Sequence, residues 1–519
     1  MNLSIRLCYV FALLSARFAS AEIFQYRTAA AGSEKGDVFL WVPPEAPQVR
    51  GILAAGFTLM EPHLVVDPQI REVCRSEGLG ILFSTVGLKA FDLQKTLDAL
   101  AAQSGLPEIA TAPLFFAGHS AGGPQAMERA REFGDRCFGL MQFRGGLPYG
   151  VAPEIPSLVM MGQFDEYGGV MRFKDGREHA WERPRDELAK LRKAAPGSLY
   201  SIAVEPGAGH FAWSERNAEL FSLFLRKSTR QLDPDGSLTR VDPATGWVTS
   251  LKLREPFEPM PAVDYTGNAD EVSWHFDREM AEAHIAFHAD LPLRKKDQFL
   301  RWENPYWVDA GVRYFFNDMD IVGDGQTFRI HPVYADKVPG QPNGQGPEWL
   351  EAGQPVGNSG APIHAVAVGG PLKVTGANEI RLEYSILHPV TTPLSRITFM
   401  AQSPGNDAFR ATEIVGMVPR GWKGPGRGPG QTITFPELED VSRTAKSIDL
   451  KATSTSGLPV EYHILYGPAL IRDGKLIIAD LPARGRFPIE VSVAAYQVGS
   501  GVEPFFSAAA PVIRTFNLK

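Results

Sequence analysis

Short apolar runs alternate with amphipathic helical segments between about residues 37 and 227. The runs Gly51–Ala55, Leu79–Ser84 and Leu114–Ala117 are apolar almost throughout, and the segment Phe91–Gln103 places its leucines on one helical face. Strands that are apolar on both sides, separated by helices, are typical of a parallel sheet covered on both faces. The alternation therefore predicts an α/β domain with a mostly parallel sheet.

One glycine-rich motif lies where an apolar strand meets a helix. It reads Gly118-His119-Ser120-Ala121-Gly122-Gly123 and matches the pattern G-x-S-x-G. A serine hydroxyl becomes a useful nucleophile only when a tight turn holds it beside a base, and glycines allow that turn. We therefore predict Ser120 as a nucleophile and expect His119 to shape the pocket or to pack. The alternative interpretation is a glycine-rich turn with an incidental serine.

An acid and a base follow the serine in the order that this motif requires. Asp165 comes directly after the apolar run Ser157–Gly162, and His210 follows the next apolar run. His210 would take the proton of Ser120 and later give it to the leaving group, while Asp165 would fix the imidazole tautomer. Glu166 is the competing acid, because an error of one residue in the strand end would exchange the two.

These three motifs resemble those of the α/β-hydrolase superfamily, in particular its branches that contain dienelactone hydrolases and feruloyl esterases. The resemblance covers about residues 30–232 and implies an eight-stranded, mostly parallel sheet. It also implies an oxyanion hole formed by the N–H of Ala121 and an N–H from the loop after the third strand. That loop reads Gly56-Phe57-Thr58, so Phe57 is the candidate for the second donor. Here the sequence has Ala55-Gly56 where the family commonly has His-Gly.

The first 21 residues have the pattern of an export signal. Arg6 provides a positive charge, Leu7–Ala16 is a short apolar run, and Ala19-Ser20-Ala21 is a cleavage site of small residues. The run is too short to span a membrane, and no other stretch is long and apolar enough. We therefore expect a secreted or periplasmic protein; a buried N-terminal helix is the alternative interpretation.

Composition excludes several classes of protein. The 519 residues exceed the size of one domain, and the net charge of -7 gives no basic field for nucleic acid. Cys74 and Cys137 are the cysteines that remain after the predicted signal, and two cysteines in so long a chain do not form a disulfide framework. Two free core thiols are therefore favoured over a disulfide.

The sequence after Leu232 changes to turn clusters and short strands. The segments Gln431–Phe435 and Ser456–Val460 resemble immunoglobulin-like modules of secreted bacterial proteins, which implies a spacer or adhesion module. Glycine and proline dominate Gly421–Gly430, which indicates a flexible linker in front of an independent module. The predicted division is a signal peptide (1–21), a catalytic α/β-hydrolase domain (22–232), a β-rich middle domain (233–420), a linker (421–430) and an immunoglobulin-like sandwich (431–519).

Other candidate sites are weaker. His284 and His288 have helical spacing but lack an evident third metal ligand, and Asp318, Asp320 and Asp324 do not have calcium-loop spacing. Aromatic residues in the middle region could form a sugar-binding platform, but a core is the favoured interpretation. These aromatic residues are Trp302, Tyr306, Trp307, Tyr314 and Phe315. No metal and no cofactor are predicted.

The sequence therefore predicts an exported serine esterase that forms an acyl-enzyme on Ser120. Export together with β-rich modules favours a polymer as substrate, namely acyl groups on polysaccharide, although a small-molecule ester would suit the same chemistry. A peptidase or a polyester hydrolase with the same triad is one alternative. A catalytically inactive adhesion protein is another. The sequence does not indicate an oligomeric state.

Overall fold

The structure is a computed structural model with side chains. It describes residues 22–163, 165, 181–253, 255–289, 291, 295–303, 308–309, 314–315, 320–338, 353–391, 394, 397–418 and 422–519. The predicted signal peptide (1–21) and the competing acid Glu166 lie outside these residues.

An eight-stranded sheet forms the centre of the N-terminal region. Its strands are β1 (Tyr26–Ala29), β2 (Asp37–Trp41), β3 (Gly51–Gly56), β4 (Leu79–Ser84), β5 (Leu114–His119), β6 (Cys137–Phe143), β7 (Ser157–Gly162) and β8 (Tyr200–Glu205). Their order is β1-β2-β4-β3-β5-β6-β7-β8; β3 to β8 are mutually parallel, and β2 is antiparallel to both of its neighbours, β1 and β4. Strands β2 to β8 are buried almost throughout, as strands covered on both faces should be. This arrangement fits the α/β-hydrolase fold.

Helices lie between the strands, and capping residues in the local sequence mark where some of them begin and end. They are α1 (Glu61–Val66), α2 (Pro68–Glu77), α3 (Leu93–Ser104), α4 (Gly122–Glu132), α5 (Glu182–Ala194), α6 (Glu215–Ser228) and α7 (Arg278–Phe287). Asp67 caps α2 by accepting the N–H of Gln69 at 2.9 Å, and Gly78 ends that helix with φ of 67°. Helices α1 and α5 were not expected from the sequence.

The strands in the described residues of the middle region form four small sheets. Its strands are β9 (Trp247–Ser250), β10 (Met260–Pro261), β11 (Val272–His275), β12 (Leu300–Trp302), β13 (Val308–Asp309), β14 (Tyr314–Phe315), β15 (Asp320–Ile321), β16 (Thr327–Arg329), β17 (Pro332–Tyr334), β18 (His364–Gly369), β19 (Leu372–Gly376), β20 (Glu379–Leu382), β21 (Thr398–Ser403) and β22 (Thr412–Met417). The sheet orders are β10-β9-β11, β12-β17, β13-β14-β22-β21-β18 and β15-β16-β20-β19.

Packing continues across the boundary that we predicted after Leu232. His284 Nε2 lies 2.7 Å from the carbonyl oxygen of Ile202, and His288 Nε2 accepts the N–H of Val204 at 2.8 Å. Both partners belong to the eight-stranded sheet, so α7 supports the outermost strand of the N-terminal region.

The C-terminal region is built from short antiparallel strands. They are β23 (Ile433–Thr434), β24 (Ser447–Asp449), β25 (Thr453–Ser454), β26 (Glu461–Tyr466), β27 (Ala469–Arg472), β28 (Lys475–Ile478), β29 (Ile489–Tyr496) and β30 (Val512–Leu518). They pair as β23-β25, β24-β28-β27 and β26-β29-β30. This pairing alone does not establish an immunoglobulin-like sandwich, which stays a prediction.

The C-terminal region shares its core with the N-terminal region. One buried apolar cluster contains Phe24 and Tyr26 together with Val491 and Phe516. Phe24 also forms an isolated β-bridge with Gly467 beside the edge strand β1. The expectation of an independent terminal core is therefore wrong, because part of that core belongs to the first domain.

The glycine-rich segment before the C-terminal region is packed rather than free. The ring of Trp422 lies 6.0 Å from that of Phe328, and a Cβ on Gly426 would overlap the carbonyl oxygen of Val498. The prediction of a flexible linker over 421–430 is therefore wrong for the described residues 422–426. Glycine allows close backbone approach there.

Cys74 and Cys137 are free and buried. Burial raises the pKa of each thiol to about 12, so both stay protonated and chemically inert. This confirms the interpretation of two core thiols.

Candidate active site

Ser120 occupies a strained turn between β5 and α4. Its φ is 49°, a left-handed value that is rare for a residue with a Cβ and typical of functional sites. The Ser120 N–H donates to the Phe143 carbonyl at 2.9 Å, and the Gly123 N–H donates to the Ser120 carbonyl at 3.0 Å. A Cβ on Gly118 would overlap the backbone of Gly122, so the turn requires glycine at 118.

His210 and Asp165 are in direct contact. The Nδ1 atom of His210 lies 2.7 Å from Asp165 Oδ1, and each side chain is only 5% exposed. With Nδ1–H donating to the carboxylate, the basic nitrogen of the ring is Nε2. Asp165 follows β7 and His210 follows β8, and parallel strands bring their carboxyl ends to the edge of the sheet where Ser120 follows β5. The structure thus joins His210 to Asp165, whereas Glu166 lies outside the described residues.

One of the two predicted oxyanion donors is available. Ala121 is exposed at the start of α4, and within the described residues its N–H has no hydrogen-bond acceptor. The N–H of Phe57, in contrast, donates to the carbonyl oxygen of Ser84 at 2.8 Å. The prediction of Phe57 as second donor is therefore wrong in this structure, because the last carbonyl of β4 already accepts that N–H.

Glu61 is a buried carboxyl group behind the serine turn, and our sequence analysis missed it. It accepts the backbone N–H groups of His119 at 2.8 Å, Thr58 at 2.9 Å and Leu59 at 3.0 Å. Burial raises its pKa, and these hydrogen bonds oppose that shift. The spacing Thr58-x-x-Glu61 is that of a capping box, which was the available signal.

His119 packs against the catalytic candidate His210. The two rings are 4.9 Å apart, and His119 Nε2 lies 3.1 Å from the His210 carbonyl oxygen. Burial, followed by the proximity of His210, holds the pKa of His119 well below its usual range. His119 is therefore neutral and fixes the backbone that carries His210.

A buried ion pair anchors the same loop from the other side. Arg144 follows β6 and pairs with Glu205 at the end of β8, with both side chains nearly inaccessible. Glu205 also accepts from Asn217 Nδ2 at 2.7 Å and from Ser214 Oγ at 2.5 Å. These bonds connect β8 to the start of α6 and enclose the loop that contains His210.

The described residues among the weaker sequence candidates make other contacts. Within the described residues, no three His, Cys, Asp or Glu side chains are grouped as metal ligands. His284 and His288 bind the backbone of β8, and Asp324 accepts the N–H groups of Gln326 and Thr327 in its own turn. Trp302 is buried in the core of the middle region, as favoured. Asp318, Tyr306 and Trp307 lie outside the described residues, as do the side chains of Tyr314 and Phe315.

Comparisons with known proteins give a distant likeness. No family model and no curated protein matches the chain. Among solved structures, a bacterial heroin esterase is 16% identical, over 44% of this chain and 92% of its own, with a TM-score of 0.30. An esterase from Butyrivibrio proteoclasticus is 15% identical over 40% and 99%, with a TM-score of 0.28. A dienelactone hydrolase from Anabaena variabilis is 16% identical over 41% and 99%, with a TM-score of 0.26. Scores this low assign neither activity nor substrate.

In the described part of the chain, no helix combines the length and the apolar character that crossing a bilayer requires.

Proposed function

We propose that this protein is a serine hydrolase that cleaves carboxylic esters through an acyl-enzyme on Ser120. The observation that carries the proposal is the 2.7 Å contact between His210 Nδ1 and Asp165 Oδ1 on the same sheet edge as a serine with φ of 49°. This combination of a strained serine turn with an oriented imidazole is what nucleophilic acyl transfer requires.

The proposed reaction has two halves. Ser120 Oγ attacks the ester carbonyl while its proton passes to His210 Nε2, and Asp165 stabilises the imidazolium. The N–H of Ala121 stabilises the oxyanion, and His210 returns the proton to the leaving alcohol. Water then attacks the acyl-enzyme with His210 as base, which releases the acid and restores Ser120.

Labelling with a fluorophosphonate tests the nucleophile. We expect the wild-type protein to bind the label covalently at Ser120, as located by peptide mass spectrometry, and Ser120→Ala to lose both label and activity. The matched control is Ser76→Ala, which removes an exposed serine hydroxyl from α2. A wild-type protein that takes no label and hydrolyses no ester would support the inactive adhesion protein instead.

Paired substrates test the bond that is cleaved. We expect hydrolysis of short aryl esters and little cleavage of the corresponding aryl amides, because the site shows one oxyanion donor and amides are the harder substrates. Cleavage of amides without cleavage of esters would support the peptidase alternative.

We further propose that the esterase is exported and acts on acyl groups of polysaccharides. The signal pattern before Glu22 and the β-rich regions that follow the hydrolase domain support this. Expression with the native leader should give a mature protein that begins at Glu22, as N-terminal sequencing would measure. Release of acid from acylated polysaccharide, compared with acylated small alcohols and synthetic polyesters, would test the substrate.

A further inference from the structure

A strand of the middle region lies against the loop that carries His210. A Cβ on Gly207 would be 3.1 Å from the Cβ of Ala411, the residue just before β22. Phe211 is buried in one apolar cluster with Val368 of β18 and Met400 of β21. The five-stranded sheet of the middle region therefore forms a wall of the candidate active site.

Glu413 on β22 extends its carboxyl group to the residue before His210. A Cβ on Gly209 would overlap Glu413 Oε1, so only glycine leaves room for the carboxyl group at that point. Glu413 is half-buried, with part of its surface accessible to solvent. A third carboxyl group thus lies beside the His210–Asp165 pair, and it comes from a different region of the chain.

The charges around Glu413 make its ionisation sensitive to pH near neutrality. Burial raises the pKa of Glu413 to about 7, and Asp165 and Glu205 act in the same direction, while Arg144 and His210 oppose it. These four residues are the charged and titratable groups with the largest effects on Glu413, and all belong to the N-terminal region. On its own sheet, its partner across the strands is the uncharged Gln402.

We propose that Glu413 is a positioning residue of the active site, whose carboxylate stabilises the imidazolium that His210 forms when Ser120 attacks. This inference rests on the proposed function. Glu413 neither gives nor takes a proton in the reaction, because the proton moves from Ser120 Oγ to His210 and then to the leaving alcohol. A negative charge close to the ring favours the protonated state, and the effect is strong where water is largely excluded.

The pH dependence of kcat/KM on an aryl ester tests the proposal with Glu413→Gln, which removes the charge and keeps the shape. Above pH 8 we expect kcat/KM of the variant to be about tenfold below wild type, the size of effect given by about one pKa unit of charge stabilisation. Below pH 6, where Glu413 is protonated in the wild type, the two profiles should converge.

Two further variants separate charge from structure. Glu413→Asp retains a carboxylate, so it should recover most of the kcat/KM that Glu413→Gln loses above neutral pH. Glu379→Gln removes a partly exposed carboxylate from β20, where it pairs with Arg329, and should leave the profile unchanged. A Glu413→Gln profile that is identical to wild type, or lower by one constant factor at every pH, would overturn the proposal. So would a Glu413→Asp profile that matches Glu413→Gln.

Labelling keeps this inference distinct from the proposed function. The rate at which a fluorophosphonate labels Ser120 depends on His210. Above neutral pH, this labelling rate should therefore be lower in Glu413→Gln than in wild type. Failure of the wild-type protein to be labelled would count against the proposed function. Normal labelling and ester hydrolysis with parallel pH profiles in the two proteins would count against Glu413 alone. Thermal unfolding of each variant would verify that the compared proteins are folded.

Discussion

Glu61 Oε1 accepts the backbone N–H of His119 at 2.8 Å, although the two residues are 58 positions apart. This bond joins the start of α1 to the last residue of β5, directly before Ser120. The same carboxyl group holds the amides of Thr58 and Leu59. The loop after β3 and the serine turn are therefore fixed by one buried acid, and the position of the nucleophile depends on it.

Replacement of Glu61 should reduce both stability and activity. Glu61→Ala leaves the N–H groups of His119, Thr58 and Leu59 without their acceptor, and each unpaired buried group costs about 1–3 kcal/mol. We expect the free energy of unfolding to fall by about 3 kcal/mol and kcat to fall about tenfold or more. Glu45→Ala is the control, since Glu45 is exposed and pairs with Arg75 at the surface. Denaturant unfolding of both variants gives the measurement, and equal effects would contradict the prediction.

Asp165 should matter for catalysis far more than Glu166. Asp165→Asn preserves the size of the side chain but cannot hold the imidazole in the required tautomer, so kcat should fall by about 10⁴-fold with the fold intact. Glu166→Gln should have a much milder effect. Steady-state kinetics on an aryl ester gives the comparison, with circular dichroism as the test of folding. If the larger loss occurs in Glu166→Gln, the role of the acid passes to Glu166.

Three buried histidines should make the protein sensitive to acid. Burial lowers the pKa of His275 and of His288 well below the usual value, and it lowers that of His284 from 6.5 to about 4. Between pH 6.5 and about pH 4 the unfolded chain binds protons that the folded protein excludes, so the free energy of unfolding falls as pH falls. At about 1.4 kcal/mol per pKa unit, His284 alone removes about 3 kcal/mol from the free energy of unfolding by pH 4.

Thermal unfolding at a series of pH values between 7.5 and 4 measures this effect. His284→Gln should unfold with a weaker pH dependence than wild type, because it lacks one of the groups that protonate on unfolding. His364→Gln removes an exposed histidine and should retain the wild-type dependence. A His284→Gln protein with an unchanged dependence would show that His284 does not contribute.

The C-terminal region should not be removable without damage. The sequence predicts an independent terminal module, but truncation after Arg420 would uncover Phe24 and Tyr26 and leave the Ser104 carbonyl without the Arg486 N–H that it accepts at 2.8 Å. We now expect the truncated protein to have a lower Tm and poor solubility.

A specific protease site inserted after the exposed Gly430 gives a milder test. After cleavage, the two fragments should elute together from a gel-filtration column, and their separation would contradict a shared core.

Much of the first domain could be predicted because its signals are local. Strands β2 to β8 were visible as apolar runs and the serine turn was marked by its glycines, whereas β1, which reads YRTA, was not predicted. Asp165 and His210 were found because each lies in the segment that follows such a run, and parallel strands place those segments at one edge. The roles of Arg144 and Glu413 arise from contacts between distant segments, and nothing in the adjacent sequence indicates which partner each one meets. For Glu61 the spacing from Thr58 was a local signal, but it did not indicate the contact with His119.

The errors have physical causes as well. Phe57 lies in the loop that the resemblance indicated, but the sequence does not show that its amide extends the bonding of β3 to Ser84. The glycines around Gly426 suggested flexibility, yet glycine is also used where backbones must approach closely, and composition cannot distinguish the two. The shared core was missed because apolar residues of the terminal strands have the same pattern whether they face their own sheet or another region.

The bridge between Phe24 and Gly467 joins segments from opposite ends of the chain. During synthesis the edge strand β1 emerges early, but the segment that covers it arrives only after nearly everything else. Contacts of such large sequence separation form slowly, and an uncovered strand edge can pair with other chains in the meantime. Refolding of the full chain should therefore be limited by this late closure, and its yield should decrease as protein concentration increases.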